Sequence, residues 1–468
     1  MRDRRGVTAM TFAVMAFVLL GFVGFSTEVG GWFLARTTAQ AAADGAAVAA
    51  VLVLNGGGDL HDAQTAAAAA MASPNWSSAT PYTLTVTAGT NQQTSPPTPT
   101  ATTVVSFKIP ALISMIFTGT SEVTVNVQST AGMQTLGSAC VLSTQNDLTI
   151  NAPQLPWTNL CSYVSNATDQ QAINVLNDVD VKVYALVTAG GCSNCPLGYA
   201  GRPPSTFQPP VLDPYQSTLA SINLPASSSD VACINTGGPS ITGPMVPATP
   251  QLNGKFQAYC SENFVISSNV TMTPGVYLFV DATLTVMDSG TLVCQTAGGG
   301  DCFNASPKTG VTIIFTGSPV TTGNPAAVCS VNLSGTNPPP TLKICSFANV
   351  NIGPAAAGDL PAEFANLANF GVLFWRDASL SNSQPGTVAS PAVDIQVTSS
   401  GGSSAIGPTG LLYFPGAVVS YGGTAPSNRC TTLLAGTISL NTNASKFWDC
   451  GSNGQYITPQ VFAVRILE

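Results

Sequence analysis

Residues Val7 to Thr27 read VTAMTFAVMAFVLLGFVGFST, twenty-one positions without a charge. As a helix rising 1.5 Å per residue, this run is about 31 Å long, close to the hydrocarbon thickness of a bilayer. Arg2, Arg4 and Arg5 precede it, opposed only by Asp3. Positive charge on the short side favours retention of that side in the cytoplasm, so these arginines predict export of everything after Thr27. The chain is expected to cross the inner (cytoplasmic) membrane once, with its body periplasmic or extracellular. A cleaved signal peptide competes with this reading, because Ala39-Gln40-Ala41 has the small-x-small form of a cleavage site. Yet the apolar run exceeds the usual length of about 7 to 15 residues, and Glu28 and Arg36 lie between it and that site. The retained anchor is favoured.

The rest of the 468 residues fits an exported body. Only 8% are charged, against about 25% in ordinary soluble proteins. A net charge of −8 argues against a nucleic-acid partner. All 12 cysteines fall between Cys140 and Cys450, an even number confined to the translocated part, which predicts disulfides made in an oxidising compartment. Arginine topology and cysteine placement agree independently.

The helical pattern does not stop at Thr27. No proline appears before Pro74, and TTAQAAADGAAVAAVLVL carries the helix to Leu54. Gly30, Gly31 and Gly45 each weaken it by about 1 kcal/mol relative to alanine. Trp32 and Phe33 fall where aromatic rings favour the membrane interface. Asn55 to Gly58 ends the helix, and Asp59 can cap a second, Ala-rich one through Met71. From Tyr82 the period becomes two: YTLTVTA, then TTVVSFKI to Ile109, then EVTVNVQ from Glu122 to Gln128. AGTNQQTSPPTPTA between the first two reads as an exposed loop, and ALISMIF after Pro110 as a helical turn. The expected organisation is a tip, anchor and helical extension over 1–54, a small α+β module over 55–132, and a disulfide-containing β domain over 133–468.

Beyond Cys140 short apolar runs such as NFVISSNVTM, GVYLFV, GVTIIF, FGVLFW, GLLYF and TLLAGTISL recur between Gly, Asn, Ser and Pro. Tight Asn-Gly or Asp-Gly turns, which hairpin barrels and sandwiches use, are few. Strands joined by irregular bends predict a right-handed parallel β-helix-like domain, with a β-sandwich pair as the fallback. The Pro-rich inserts Arg202 to Tyr215 and Gly237 to Pro250 are expected to be excursions from its corners.

The anchor region resembles TadG-like proteins of the Tad (tight adherence, Flp-type) pilus-assembly system. The residues that carry the resemblance are Arg5-Gly6, the apolar run, Glu28-Val-Gly-Gly-Trp32, and the segment from Ala39 and Gln40 through Asp44 to Ala47. It departs at Glu28, where many members have Asp, and at Ala41, which replaces an Asn. A second resemblance links Cys140-Val-Leu-Ser-Thr144, Asn151-Ala-Pro153, Cys161 to Asn166, Leu212-Asp213-Pro214-Tyr215, Gly410 to Pro415 and Cys430 to Ala435 to the β-rich body of one branch of that family. It implies a pilus-assembly or pilus-anchoring role among other Tad proteins or pilins. The fifth residue after Gly6 is Thr11, not the glutamate of a pilin, so prepilin-type processing at Gly6 is not supported.

Candidate chemistry is thin. Another branch of the family carries a von Willebrand A domain, and Asp377-Ala-Ser379-Leu-Ser381 spells its metal-site motif. Only 87 residues follow Ser381, too few for the alternating strands and helices of that fold, so a turn is preferred and no metal is expected. Cys192-Ser-Asn-Cys195 lies in a Gly-rich loop, without the helix N-terminus of a redox pair or the second pair of a zinc site, and reads as structural disulfide ends. Cys140 with Cys161 and Cys430 with Cys450 are the preferred pairs among the remaining cysteines, because each closes a short loop worth about 3 kcal/mol. His61, the only histidine, lies outside the β-rich region, and Asp230, Glu262, Asp281 and Asp394 are scattered. Arg376-Asp377 is the nearest thing to a charged site. No Ser-His-Asp set can be assembled in the β-rich body, so neither catalysis nor a cofactor is expected. Glu28 is the candidate partner contact, at the outer end of the anchor. The reading is a non-enzymatic, membrane-anchored pilus-assembly component; the alternative is a membrane-tethered β-helix adhesin or glycan-binding protein.

Overall fold

The structure is a computed structural model that describes residues 5–55, 57–72, 81–92, 97–111, 114–151, 155–159, 161–176, 181–197, 202–251, 255–302, 308–318, 341–345, 347–377, 395–397, 409–422, 430–441 and 456–467. The chain divides into two compact units, Met1–Thr135 with Phe462–Glu468, and Leu136–Val461. The last few residues thus join the N-terminal unit, which the sequence reading did not anticipate.

In the first unit a single helix α1 runs over Arg5–Asn55, 51 residues. A second helix α2 spans Leu60–Met71, started by a capping box in which Asp59 and Asp62 each accept from the other's backbone N–H. Three antiparallel strands follow: β1 (Tyr82–Asn91), β2 (Thr98–Pro110) and β3 (Glu122–Ser143). A short helix α3, Met115–Thr118, lies between β2 and β3. The stretch read as a long loop is therefore largely a hairpin: β1 continues to Asn91 and β2 starts at Thr98. Thr-rich sequence suits the open face of a sheet. Ala39, Ala43, Ala46, Ala47 and Ala50 on α1 pack with Ala63 and Ala67 on α2 over Val86, Val105, Phe107 and Val127. Small side chains let helix and sheet approach closely; Thr103 donates its hydroxyl to Ala43 O at 2.9 Å.

The second unit is a parallel β-helix-like solenoid. On one face the strands stack in the spatial order Ala232–Cys233, Gln257–Cys260, Gly275–Val280, Val311–Thr316, Val372–Arg376, Gly410–Tyr421, Thr431–Leu440, the end of β3, Ser162–Ser165 and Leu186–Thr188. The second face repeats this order, from Ser240–Ile241 to Cys192–Ser193. A third face has Asn269–Met272, Thr291–Cys294 and Asn349–Asn351 in one parallel sheet. The winding is circularly permuted: the first coils in the chain stack beyond the last one. The seam lies where Leu433, Leu434 and Ala435 pair with Val141, Leu142 and Ser143, and Ile438 and Leu440 with Leu148 and Ile150.

Inside, equivalent positions of successive coils stack. Ile241, Ile266, Val286, Ile344, Val397, Tyr421, Leu440, Ile150 and Val175 form one ladder in register, unbroken across the seam. Tyr259, Phe279 and Phe315 form another, with ring centroids 5.1 and 5.2 Å apart. Corners turn on small residues. Gly416 has φ 74 in the middle of Gly410–Tyr421, which bends there instead of ending as two separate strands. A Cβ on Gly436, one coil on, would lie 2.8 Å from the Gly416 backbone.

The insert Gly237 to Pro250 is not an excursion, which corrects the sequence reading. Its Ser240–Ile241 pairs with Val265 and Ile266, and Met245 bridges to Met272, so it forms an end coil. Single inward apolar residues suffice there, and so it gave no run. Arg202 to Tyr215, by contrast, begins a strap that must return from the Leu186–Thr188 end to the Ala232–Cys233 end. Nine steps of about 4.8 Å make that roughly 43 Å. The strap is tied down in spatial order: Gln208 N to Thr188 O at 2.9 Å, Val211 to Asn166, Asp213 to Tyr413, Pro225 O to the Thr316 hydroxyl at 3.0 Å, and Ser228 N to Asp281 at 2.7 Å.

The permuted order makes Leu440 an interior position although it lies late in the chain. Leu440→Ala is expected to cost about 3–5 kcal/mol in urea unfolding of the solubilised full chain, as for an enclosed leucine. A cost below about 2 kcal/mol would place that coil at an open end instead.

Candidate functional site

The first feature that can act is the N-terminal half of α1. Its most apolar 18-residue window has mean hydropathy 2.0 and none of it is buried. Phe12, Leu20 and Phe22 stand about 70% exposed, whereas Ala39 to Val51 contribute the domain core. One helix thus presents an uncovered apolar length and a covered Ala-rich length. Gln40 and Asp44, singled out by resemblance, are polar fixtures of the covered half: Gln40 Nε2 donates to Asp44 Oδ1 at 2.9 Å and to Gln128 O at 3.0 Å. Arg5 is the first residue of α1, while Arg2 and Arg4 lie outside the described residues.

Glu28 lies between the two halves, and its carboxylate is engaged within the chain. Oε2 accepts the Ser114 N–H at 3.0 Å and Oε1 the Ser114 hydroxyl at 2.7 Å. Ser114 precedes α3, so the carboxylate ties the β2–β3 connection to the helix. Sequence reasoning singled out Glu28 but had no means of finding its partner, 86 residues away.

The second feature is a groove of about 600 Å³ between the strap and the coils, lined among others by Asn166, Asp213, Gln216, Trp375, Asp377 and Tyr413. Asp213 accepts from the Tyr413 hydroxyl at 2.7 Å and from the Tyr215 N–H at 2.9 Å. Burial pushes the Asp213 carboxyl above the usual carboxylate range, while the Tyr413 hydroxyl and the Tyr215 and Gln216 N–H groups oppose the rise. Tyr215 is fully buried, edge-on to Phe370 and Tyr413, and donates to Ile457 O at 2.8 Å. The Leu212-Asp213-Pro214-Tyr215 segment is therefore the strap's main fastening. Asn166 fastens it again, exchanging two 2.8 Å bonds with the Val211 backbone. These groups hold the strap; their hydrogen-bonding capacity goes into the fold.

The remaining candidates disperse. Asp377 takes the Thr316 hydroxyl at 3.3 Å, while Ser379 and Ser381 lie outside the described residues. Arg376 is 1% exposed and in register with Phe315, so it is enclosed in the coil. Asp281 joins strap and coil through Ser228, Asp230 caps Ser227, and Glu262 lies beside a separate cavity of about 470 Å³. Asp394 is outside the described residues, and His61 is exposed on α2. Among the described residues no three His, Cys, Asp or Glu side chains gather as metal ligands.

Disulfides join Cys140–Cys161, Cys192–Cys195, Cys233–Cys260 and Cys294–Cys302. Cys345 and Cys430 are also disulfide-bonded, and Cys450 lies outside the described residues. Cys233–Cys260 and Cys192–Cys195 sit at the two end coils, where a stack has a neighbour on one side only.

Two measurements test this electrostatic picture. Tyr413→Phe leaves the half-buried Asp213 short of a donor and is expected to cost about 1–3 kcal/mol in alkaline solution, and less in acid as the carboxyl takes up a proton. The second concerns Asp147, whose carboxyl is pushed up to about 6 by burial and by the hydrogen bond and charge of Asp169. The folded chain then keeps a proton that the unfolded chain releases near pH 4. The resulting stability is complete below about pH 4 and lost as pH rises through about 6; solvent screening limits it to about 1 kcal/mol or less. Asp147→Asn is expected to flatten that segment of a thermal-melt pH profile, and an unchanged slope would refute the assignment.

Residues 6–73 match the family model for putative Flp pilus-assembly TadE/G-like proteins. No curated protein and no solved structure matches the chain.

Proposed function

We propose that the chain, a TadG-like Tad pilus-assembly protein by its residues 6–73, is a non-enzymatic, membrane-anchored component that builds or anchors the pilus. The observation that carries this reading is the division of α1. Within the matched segment, the uncovered apolar length is long enough to span a bilayer, and the helix continues into the core of its own domain. A helix so built transmits the position of the membrane directly to the folded module above it.

The arginines Arg2, Arg4 and Arg5 favour a cytoplasmic N-terminus in the inner membrane, which puts the solenoid in the periplasm or beyond. Its disulfides support an oxidising compartment. The partners are then other Tad proteins or pilins. Glu28 is a contact for a basic group on such a partner only if its two bonds to Ser114 are released. Asp213, Tyr413 and Asn166 in the groove are engaged in holding the strap, which supports a structural reading of the solenoid over an enzymatic one.

Deleting the protein is expected to abolish surface pili in electron micrographs, with restoration by the full chain but not by residues 28–468 alone. Normal pili combined with lost surface attachment would favour the adhesin alternative and sink the assembly role.

A further inference from the structure

We propose that the connection between β2 and β3 is a second membrane contact, in which Met115 and Ile116 enter the lipid interface beside the spanning helix. The inference rests on the anchor reading given above.

Two contacts fix where this connection lies along α1. Thr103 of β2 bonds Ala43 O, and Ser114, just past β2, bonds Glu28. From Ala43 back to Glu28 the helix covers about 22 Å. From Thr103 to Pro110 the strand covers about 23 Å. Strand and helix thus descend together, and the connection ends level with Glu28. Below that level α1 exposes Phe25 and Phe22 and carries no charge as far as Val7.

The connection has the side chains for such a position. Ala111 and Ser114 are buried at 3% and 5%, but Ile116 is 75% exposed and Met115 44%. Gly119, at φ 74, closes the short helix with its N–H on Met115 O. Lys108 and Glu122, an exposed ion pair 2.9 Å apart, flank the connection at the ends of β2 and β3. Apolar side chains at the tip with charged ones just behind them match the polarity gradient of a lipid interface. Lipid is the occupant because this apolar patch continues the uncovered surface of the spanning helix at its own level. Two contacts, a helix and a tip beside it, would fix the tilt of the module on the membrane, which a single helix leaves free.

The test uses the full chain reconstituted in phosphatidylcholine–phosphatidylglycerol vesicles. Ile116→Cys is compared with Thr90→Cys, an exposed position at the far end of β1, for reaction with a membrane-impermeant maleimide. Ile116→Cys is expected to react about tenfold or more slowly, and Ile116→Trp to add a component quenched by lipids brominated near the headgroup beyond the quenching of the unsubstituted chain, whose own Trp32 lies near the interface. Equal labelling rates, or quenching of Ile116→Trp no greater than that of the unsubstituted chain in protein that floats with the vesicles, would overturn the tip contact and leave the anchor standing. Protein that does not float at all would overturn both. Protection that grows with the protein-to-lipid ratio would assign the tip to a second copy, and so overturn the lipid assignment.

Discussion

The solenoid depends on one seam. Where Thr431–Leu440 meets β3 and Leu148–Ile150, the last coil of the chain stacks on the first. Everywhere else, neighbouring coils are close in sequence; here Leu433 faces Val141. A β-helix has open edges only at its ends. Without this pairing the body would be two short stacks with four edges, and the apolar ladder through Leu440 and Ile150 would be cut. The strap follows necessarily: a permuted stack needs a segment returning along its length. The Asp213, Tyr215 and Asn166 bonds fasten that segment to the coils it passes.

In the first unit the equivalent constraint is that one helix carries two kinds of surface, an uncovered apolar length and a packed Ala-rich length. Large apolar side chains on all sides suit lipid, whereas the Ala-rich stripe from Ala39 to Ala50 suits close packing on a sheet. The change comes within one continuous helix and without proline, so the two lengths are mechanically coupled. Glu28, a carboxylate at the boundary, satisfies its charge on Ser114. Its hydrogen bonds join the second segment of the module that reaches this level.

Much of this was legible. The long helix follows from continuous helix-forming sequence, the capped second helix from Asp59, and the turn at Met115 from apolar residues too brief for a strand. The parallel solenoid followed from short strands without hairpin turns. The order of its coils was not legible. Strands such as Val372–Arg376 and Ser162–Ser165 carry the same inward apolar pattern, and nothing in that pattern says which neighbour each will take. The period was also obscured, since first-face strands begin at Gln257, Gly275, Val311, Val372, Gly410 and Thr431, with insertions of different length between them. The groove escaped for a related reason. Asp213 and Tyr413 are 200 residues apart in sequence, and only the permuted winding brings the strap past that coil.

The same topology sets an order of events for a chain made from its N-terminus. The coils of Ser162–Ser165 and Leu186–Thr188 exist long before residues 431–440, so one edge of β3 has no partner until synthesis is nearly complete. Pairings of such separation are slow and leave strand edges open to association. The disulfides fit that delay. Cys140–Cys161, Cys192–Cys195, Cys233–Cys260 and Cys294–Cys302 span 21, 3, 27 and 8 residues, so each can close within a segment that has already emerged. Closing a loop of 21 or 27 residues removes about 3 kcal/mol of chain entropy from the unfolded state. Cys140–Cys161 therefore reinforces the early coils beside the seam, and Cys233–Cys260 the coil from which the later ones stack back toward it.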